Sequence, residues 1–206
     1  MEKVCQNWQK DAFDNALVSD KYWDAFAKHA EMASAEIIRV ADMETAEKEI
    51  EKLIPELSVK EIIATGGEEY PNLAKLYGNL KNAGAAVYTD KFDIAEHAPS
   101  AELGISTVEF GIGETGSVCA DLFSYEARVT SMLPRNHIVF LNPRYTVETV
   151  TTAFEVISRV FKKGYMGFIT GPSRTADIER VLSLGVHGPH RFFIMAVDNG
   201  FERSAD

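Results

Sequence analysis

Short apolar runs alternate along this chain with longer segments whose apolar residues recur at helical spacing, and that alternation limits the folds open to it. A strand, an amphipathic helix and a second strand close a right-handed crossover. A series of such units builds a mostly parallel sheet with helices on both faces. Ala35 to Val40 reads as the first buried strand. Thr45 stands where it can cap a helix whose apolar stripe is Ala46, Ile50, Leu53, Ile54 and Leu57. Glu61 to Thr65 is the next strand, broken by Gly66-Gly67. Pro71 sits at a first-turn position, Leu73, Leu76, Tyr77 and Leu80 line the helix that follows, and Ala85 to Thr89 is the third strand.

Residues 93–106 read as a helix leading into a strand from Thr107 to Ile112. Strands are then expected at Ser117 to Leu122, Arg128 to Leu133 and Ile138 to Leu141. Thr146 begins the clearest helical pattern, with Val147, Val150, Phe154, Ile157 and Phe161 on one face and Gly164 closing it. Tyr165 to Thr170 is a strand, Gly171-Pro172-Ser173 a turn, the stretch to about Leu184 a helix, and Arg191 to Val197 the last strand. Trp8, Phe13, Leu17, Tyr22, Trp23 and Phe26 mark residues 1–34 as an N-terminal helical segment docked on an α/β domain of residues 35–206, with an aromatic partner-binding arm as the alternative. The expected architecture is a single-domain, three-layer α/β fold with a mostly parallel sheet.

A chain of 206 residues can fill one such core. Its formal net charge of −10 repels nucleic acid and anionic membrane surfaces, and the only concentrated basic pair, Lys162-Lys163, ends a predicted helix where cations suit the dipole. Cys5 and Cys119 lie far apart with no Cys-x-x-Cys spacing, so no zinc or iron–sulfur ligation is expected of this chain, and no cofactor. Scarce cysteine fits a reducing, cytoplasmic setting. No membrane span is expected, because no run of about 18 apolar residues occurs. His29, His97, His137, His187 and His190 fall into no ligand spacing on a helix, so no metal is expected either.

Two glycine-punctuated loops carry the chemistry. Gly111, Gly113 and Gly116 spell Gly-x-Gly-x-x-Gly after a predicted strand, but a dinucleotide site needs a helix to open at the third glycine, and Ser117 to Asp121 continue as a strand. A tight strand-to-strand turn explains the glycines. Glu114, between them, has the chemistry of a general base, a nucleophile or an acceptor for a substrate hydroxyl. In the second loop, Gly171-Pro172-Ser173-Arg174-Thr175-Ala176-Asp177-Ile178-Glu179, helix amides and Arg174 can receive an anion. Equally, Ser173 or Thr175 can cap the helix, with Asp177 and Glu179 satisfying its dipole. Gly185-Val186-His187-Gly188-Pro189 follows as a loop that can bring an imidazole beside Arg174. Arg128 and His137, flanking Met132-Leu133-Pro134, are further candidates. Glu114, Arg174 and His187 are expected to share one cleft at the carboxyl rim of the sheet, the usual ligand position in such folds.

Taken in order, Gly113-Glu114-Thr115-Gly116-Ser117, Arg128 with Ser131-Met132-Leu133-Pro134 and His137-Ile138-Val139, Gly171 to Glu179, and Gly185 to Pro189 resemble the lactate utilisation domain (LUD) family, and its LutC/YkgG branch in particular. The likeness runs from about residue 35 to Asp198, with Ser117 where threonine is the expected residue. It implies a fold similar to the NagB/RpiA/CoA-transferase superfamily and a non-redox part in oxidising L-lactate to pyruvate alongside separate iron–sulfur oxidoreductase subunits. A small carboxylate or a partner-supplied group is then expected at Glu114, Thr115, Gly116, Ser117, Arg128, His137, Gly171, Pro172, Ser173, Arg174, Thr175, Asp177, His187 and Gly188. A stand-alone isomerase or transferase acting on a sugar phosphate or acyl-CoA, with Glu114 as base or nucleophile, is the first rival. A ligand-sensing module without chemistry is the second.

Overall fold

A computed structural model describes residues 2–3, 17–176, 182–184 and 187–204. The strands are β1 (Glu2–Lys3), β2 (Glu36–Asp42), β3 (Glu61–Ala64), β4 (Ala86–Tyr88), β5 (Leu103–Thr107), β6 (Phe110–Ile112), β7 (Ser117–Asp121), β8 (Asn136–Leu141), β9 (Thr146–Val147), β10 (Phe161–Lys163), β11 (Met166–Ile169), β12 (Arg174–Ala176), β13 (Leu182–Leu184) and β14 (Arg191–Asn199). The α-helices are α1 (Trp23–Met32), α2 (Met43–Glu56), α3 (Pro71–Asn82), α4 (Lys91–His97), α5 (Tyr125–Met132) and α6 (Val150–Val160).

Six strands pair in the order β2-β14-β8-β5-β3-β4, every pair parallel. Its central strands are apolar on both faces because both are covered. On β14, Phe193, Met195 and Val197 join the core under α2 and α3, while Phe192, Ile194 and Ala196 join the core under α1 and β7. Helices α4 and α5 seal the second face further along, through Ile94, Ala98, Ala101 and Val129 against Ile63 of β3. A smaller sheet, β11-β7-β6-β9, lies on that same side and buries its own core against α6. The result is three layers: α2 and α3, the parallel sheet, then α1, α4, α5 and the small sheet.

The sequence reading differs from this fold at several places, among them these five. The helix expected at 93–106 is confined to α4, and β5 fills Leu103–Thr107, where Glu102 and Asn136 tie its start to the neighbouring strands. Arg128 to Leu133 belongs to α5, not to a strand. Ser124 caps that helix by accepting the Ala127 N–H at 3.0 Å, and its Thr130 carbonyl sits where a side chain on Gly104 would be, 2.2 Å from that Cβ position. The third difference is the cap of α2, which is Asp42: its Oδ1 accepts the Thr45 N–H at 2.8 Å. Fourth, α6 starts at Val150 behind an N-cap Thr149 and buries Ala153, Val156 and Val160, so Phe154 faces outward. Finally, the helix expected after Ser173 is an antiparallel pair, with Arg174, Thr175 and Ala176 opposite Leu184, Ser183 and Leu182. The Ser173 N–H is taken by the Pro189 carbonyl at 2.8 Å, which holds the chain extended as it enters β12.

Candidate functional site

The β6–β7 turn is built around close contact with α1. Gly116 has φ +67°, and a Cβ there would lie 2.1 Å from the Ala30 nitrogen, so only glycine can occupy it. The third glycine of the Gly-x-Gly-x-x-Gly run therefore closes a hairpin against a helix; it does not open one. From α1, His29 meets the Gly113 carbonyl through Nδ1 at 2.7 Å. A carbonyl can only accept, so Nδ1 carries the proton and a neutral ring keeps its lone pair at Nε2. Inside the turn three hydroxyls form a chain. Thr115 Oγ1 donates to Ser117 Oγ at 2.7 Å, and Ser117 Oγ meets Thr170 Oγ1 at 2.6 Å. Ser117 is buried and Thr170 exposed.

The second loop reaches the same helix one turn on. Gly171 has φ +74°, with a Cβ position 2.2 Å from the Ala33 carbonyl oxygen. Arg174 donates from Nη2 to that oxygen at 2.7 Å and also to Ser34 Oγ. Ser34, at φ +67°, is where the chain leaves α1. Pro172 is buried beside them, and Ser173 adjoins Gly188, whose Cβ position would be 3.0 Å from Ser173 Cβ. The His190 N–H donates to the Arg135 carbonyl at 2.7 Å, which draws in the loop before β8. Thr115, Gly116, Ser117, Gly171, Pro172, Ser173, Arg174 and Gly188 thus gather at one edge of the molecule, and His187 is exposed beside them. That edge is set by the starts of strands: Ser34 immediately precedes the entry to β2, His190 precedes β14 and Arg135 precedes β8. The gathering lies at the amino ends of the parallel strands. The expectation of a cleft at their carboxyl rim is corrected accordingly.

Three candidates take other partners. Glu114 Oε2 accepts the Val150 N–H at 2.9 Å, capping the first turn of α6, where a carboxylate also suits the helix dipole. Arg128 Nη1 donates to the carbonyls of Leu122 and Phe123, both at 2.8 Å, and so braces the loop between β7 and α5. His137 is fully buried; its Nε2 meets Ser106 Oγ at 2.8 Å, and desolvation pushes its pKa down to about 3. Thr175 pairs through its backbone with Ser183, and Asp177 lies outside the described residues, as do Cys5, Trp8 and Phe13. His29, Ser34 and Thr170 escaped the sequence reading. Only the position of Thr170, next to a turn glycine, could have signalled its role.

The carboxyl rim is closed by the chain itself. Neighbouring strands β3 and β5 send their connections to opposite faces, the first to α3 and the second to the small sheet, which in open α/β sheets makes the crevice that receives a ligand. Here Arg203 fills it, with Nη2 2.7 Å from Glu109 Oε1 and 3.1 Å from Glu69 Oε2, and Nε 2.9 Å from the Tyr70 hydroxyl. Phe201 stacks on Tyr70 with ring centroids 4.4 Å apart, and Asn72 Nδ2 donates to the Gly200 carbonyl at 2.9 Å. Among the described residues no group of three or more His, Cys, Asp or Glu side chains is arranged to hold a metal ion, and no helix is long and apolar enough to cross a membrane.

The sequence matches the LUD domain family over residues 23–197, from the first residue of α1 almost to the end of β14. The chain belongs to this family. Among its relatives, Lactate utilization protein C 1 of Bacillus mycoides (strain KBAB4) is 28% identical over 201 residues, covering 93% of this chain and 85% of the relative. Lactate utilization protein C of Oceanobacillus iheyensis is 27% identical over 193 residues, covering 87% and 81%. A crystal structure of a DUF162 family protein from Deinococcus radiodurans superimposes with a TM-score of 0.61 at 20% identity, over 90% of this chain and 99% of that one, which establishes the shared fold.

Proposed function

We propose that this LUD-domain chain serves lactate utilisation as a non-redox component, working in the cytoplasm beside separate iron–sulfur oxidoreductase subunits that oxidise L-lactate to pyruvate. The observation that carries the reading is the match, along nearly its whole length, to relatives named for lactate utilisation. The site is assigned to the amino edge of the sheet, where Thr115, Ser117, Thr170 and Arg174 present hydroxyl and guanidinium donors suited to a small carboxylate. His187 and Gly188 border it. On this reading Glu114 positions α6, and His137 with Arg128 supports the wall behind the site.

The alternative of a free-standing isomerase or transferase, drawn from likeness to the NagB/RpiA/CoA-transferase fold, needs Glu114 as base or nucleophile. Its bond to the Val150 N–H weighs against that role. Deleting the gene in the native organism and measuring growth on L-lactate tests the proposal, together with co-purification of a tagged chain. Loss of growth and recovery of iron–sulfur proteins are expected. Normal growth on lactate would overturn it.

A further inference from the structure

The Thr115–Ser117–Thr170 chain leads through the buried Ser117 to the exposed Thr170. The Ser117 N–H donates to Thr115 Oγ1 at 3.3 Å, which leaves the Thr115 hydroxyl free to donate to Ser117 Oγ. Ser117 Oγ, receiving that hydrogen, keeps its own hydrogen and a second lone pair, so either it or Thr170 Oγ1 can donate across the 2.6 Å between them. Linked hydroxyls polarise one another, which strengthens each as donor and acceptor. Among the described residues the Thr170 hydroxyl has no second partner, and the residue is exposed. The array therefore ends at an exposed threonine.

Arg174 stands beside that end. Gly171, the neighbour of Thr170, and the Arg174 guanidinium both press on one atom, the Ala33 carbonyl oxygen. Gly171 and the guanidinium therefore meet at the same Ala33 carbonyl. With Nη2 engaged by Ala33 and Ser34, the Nη1 and Nε hydrogens have no partner among the described residues and can act together with the Thr170 hydroxyl. Glu114, the one acid of the turn, is directed to α6 and so does not compete for these donors.

We infer that Thr170 is the ligand-facing hydroxyl of the site and that, together with Arg174, it receives one carboxylate of a small hydroxy or keto acid, with Ser117 holding the Thr170 hydroxyl in place. The inference rests on the small-carboxylate reading of the site, but not on the partnership with iron–sulfur subunits.

Titration calorimetry and NMR on the full chain, with L-lactate, pyruvate, acetate and inorganic phosphate as separate probes, test it. Saturable binding of L-lactate or pyruvate is expected in the unaltered protein. Thr170→Val should weaken that binding by about ten-fold or more, as expected for a lost hydrogen bond to a charged acceptor. Thr170→Ser should keep it within about three-fold, and both variants should unfold at the temperature of the parent, because Thr170 is exposed. Ser117→Ala should fall between them. Thr170→Val binding as tightly as the parent would overturn the inference. So would phosphate binding with carboxylates inert, or no binding of any probe. These outcomes leave the growth phenotype untouched, so failure here is distinct from failure of the role in lactate utilisation.

Discussion

The two edges of the parallel sheet have been put to opposite uses. At the carboxyl edge, where doubly wound folds leave a crevice, a desolvated guanidinium lies against a desolvated carboxylate, with Arg203 and Glu109 only 5% and 4% exposed at their side chains. At the amino edge the polar groups are half-open: Thr170, Arg174 and His187 are exposed, and Arg174 is anchored on the Ala33 carbonyl and the Ser34 hydroxyl just past α1. A buried ion pair holds segments together at a high desolvation cost, while half-solvated donors stay available to an incoming group. In this protein the place a fold usually offers to ligands has become its clasp, and the glycine turns gather their polar groups at the other end.

The largest test of that contrast is Arg203→Met, which strands the Glu109 carboxylate in the interior. A loss of about 3–5 kcal/mol in urea unfolding is expected, with most of it recovered when Glu109→Leu is added. A loss below about 1 kcal/mol would mean that the carboxyl edge is not clasped. At the amino edge, Gly116→Ala should cost about 2–4 kcal/mol, from both the positive φ and the collision with the Ala30 backbone. Gly113→Ala, whose nearest neighbour would be the Glu148 carbonyl at 3.2 Å, should cost clearly less.

The third test concerns pH. In the folded chain His137 stays neutral down to about pH 3, while in the unfolded chain it protonates near its ordinary value of 6.5. The unfolded state therefore takes up the extra proton between those limits. The stabilising contribution is complete above pH 6.5 and declines as pH falls below it. Between pH 7.5 and 5.5 the parent should lose about 1.4 kcal/mol from this residue, and a His137→Gln variant should lose less over the same interval. The smallest effect is expected from Asp198→Asn. Its partner Arg39, 2.8 Å away, is 46% exposed, so this solvated counterpart of the Arg203–Glu109 pair should be worth less than about 1 kcal/mol.

The sheet was legible because its strands are buried on both faces and so carry unbroken apolar runs, as β8 and β14 do. The helix α5 was not. Its run from Arg128 to Leu133 has little one-sidedness, and it is helical because Ser124 caps it and Gly104 leaves space for its backbone, two facts set by residues outside the run. The region after Ser173 misled for a similar reason, since the Pro189 carbonyl takes the N–H a helix start would have left to its cap. Within the site, the glycine turns announced themselves through residues that tolerate positive φ. Ser34 and Thr170 did not, because what matters at each is a contact with chain far away in sequence. His29 likewise acquires its meaning only when Gly113 is brought across to it.

The seating of Gly116 on the Ala30 peptide, and of Phe26 where Gly111 has no side chain, has a consequence for how this domain can be handled or inherited. Helix α1 is a wall of the proposed site, so a chain trimmed to begin at Ala35 would lose the His29, Ala33 and Ser34 anchors along with the aromatic plug behind the hairpin. Movement at the end of that helix would also reposition the Gly171 turn and the Arg174 guanidinium together, since both rest on the Ala33 carbonyl.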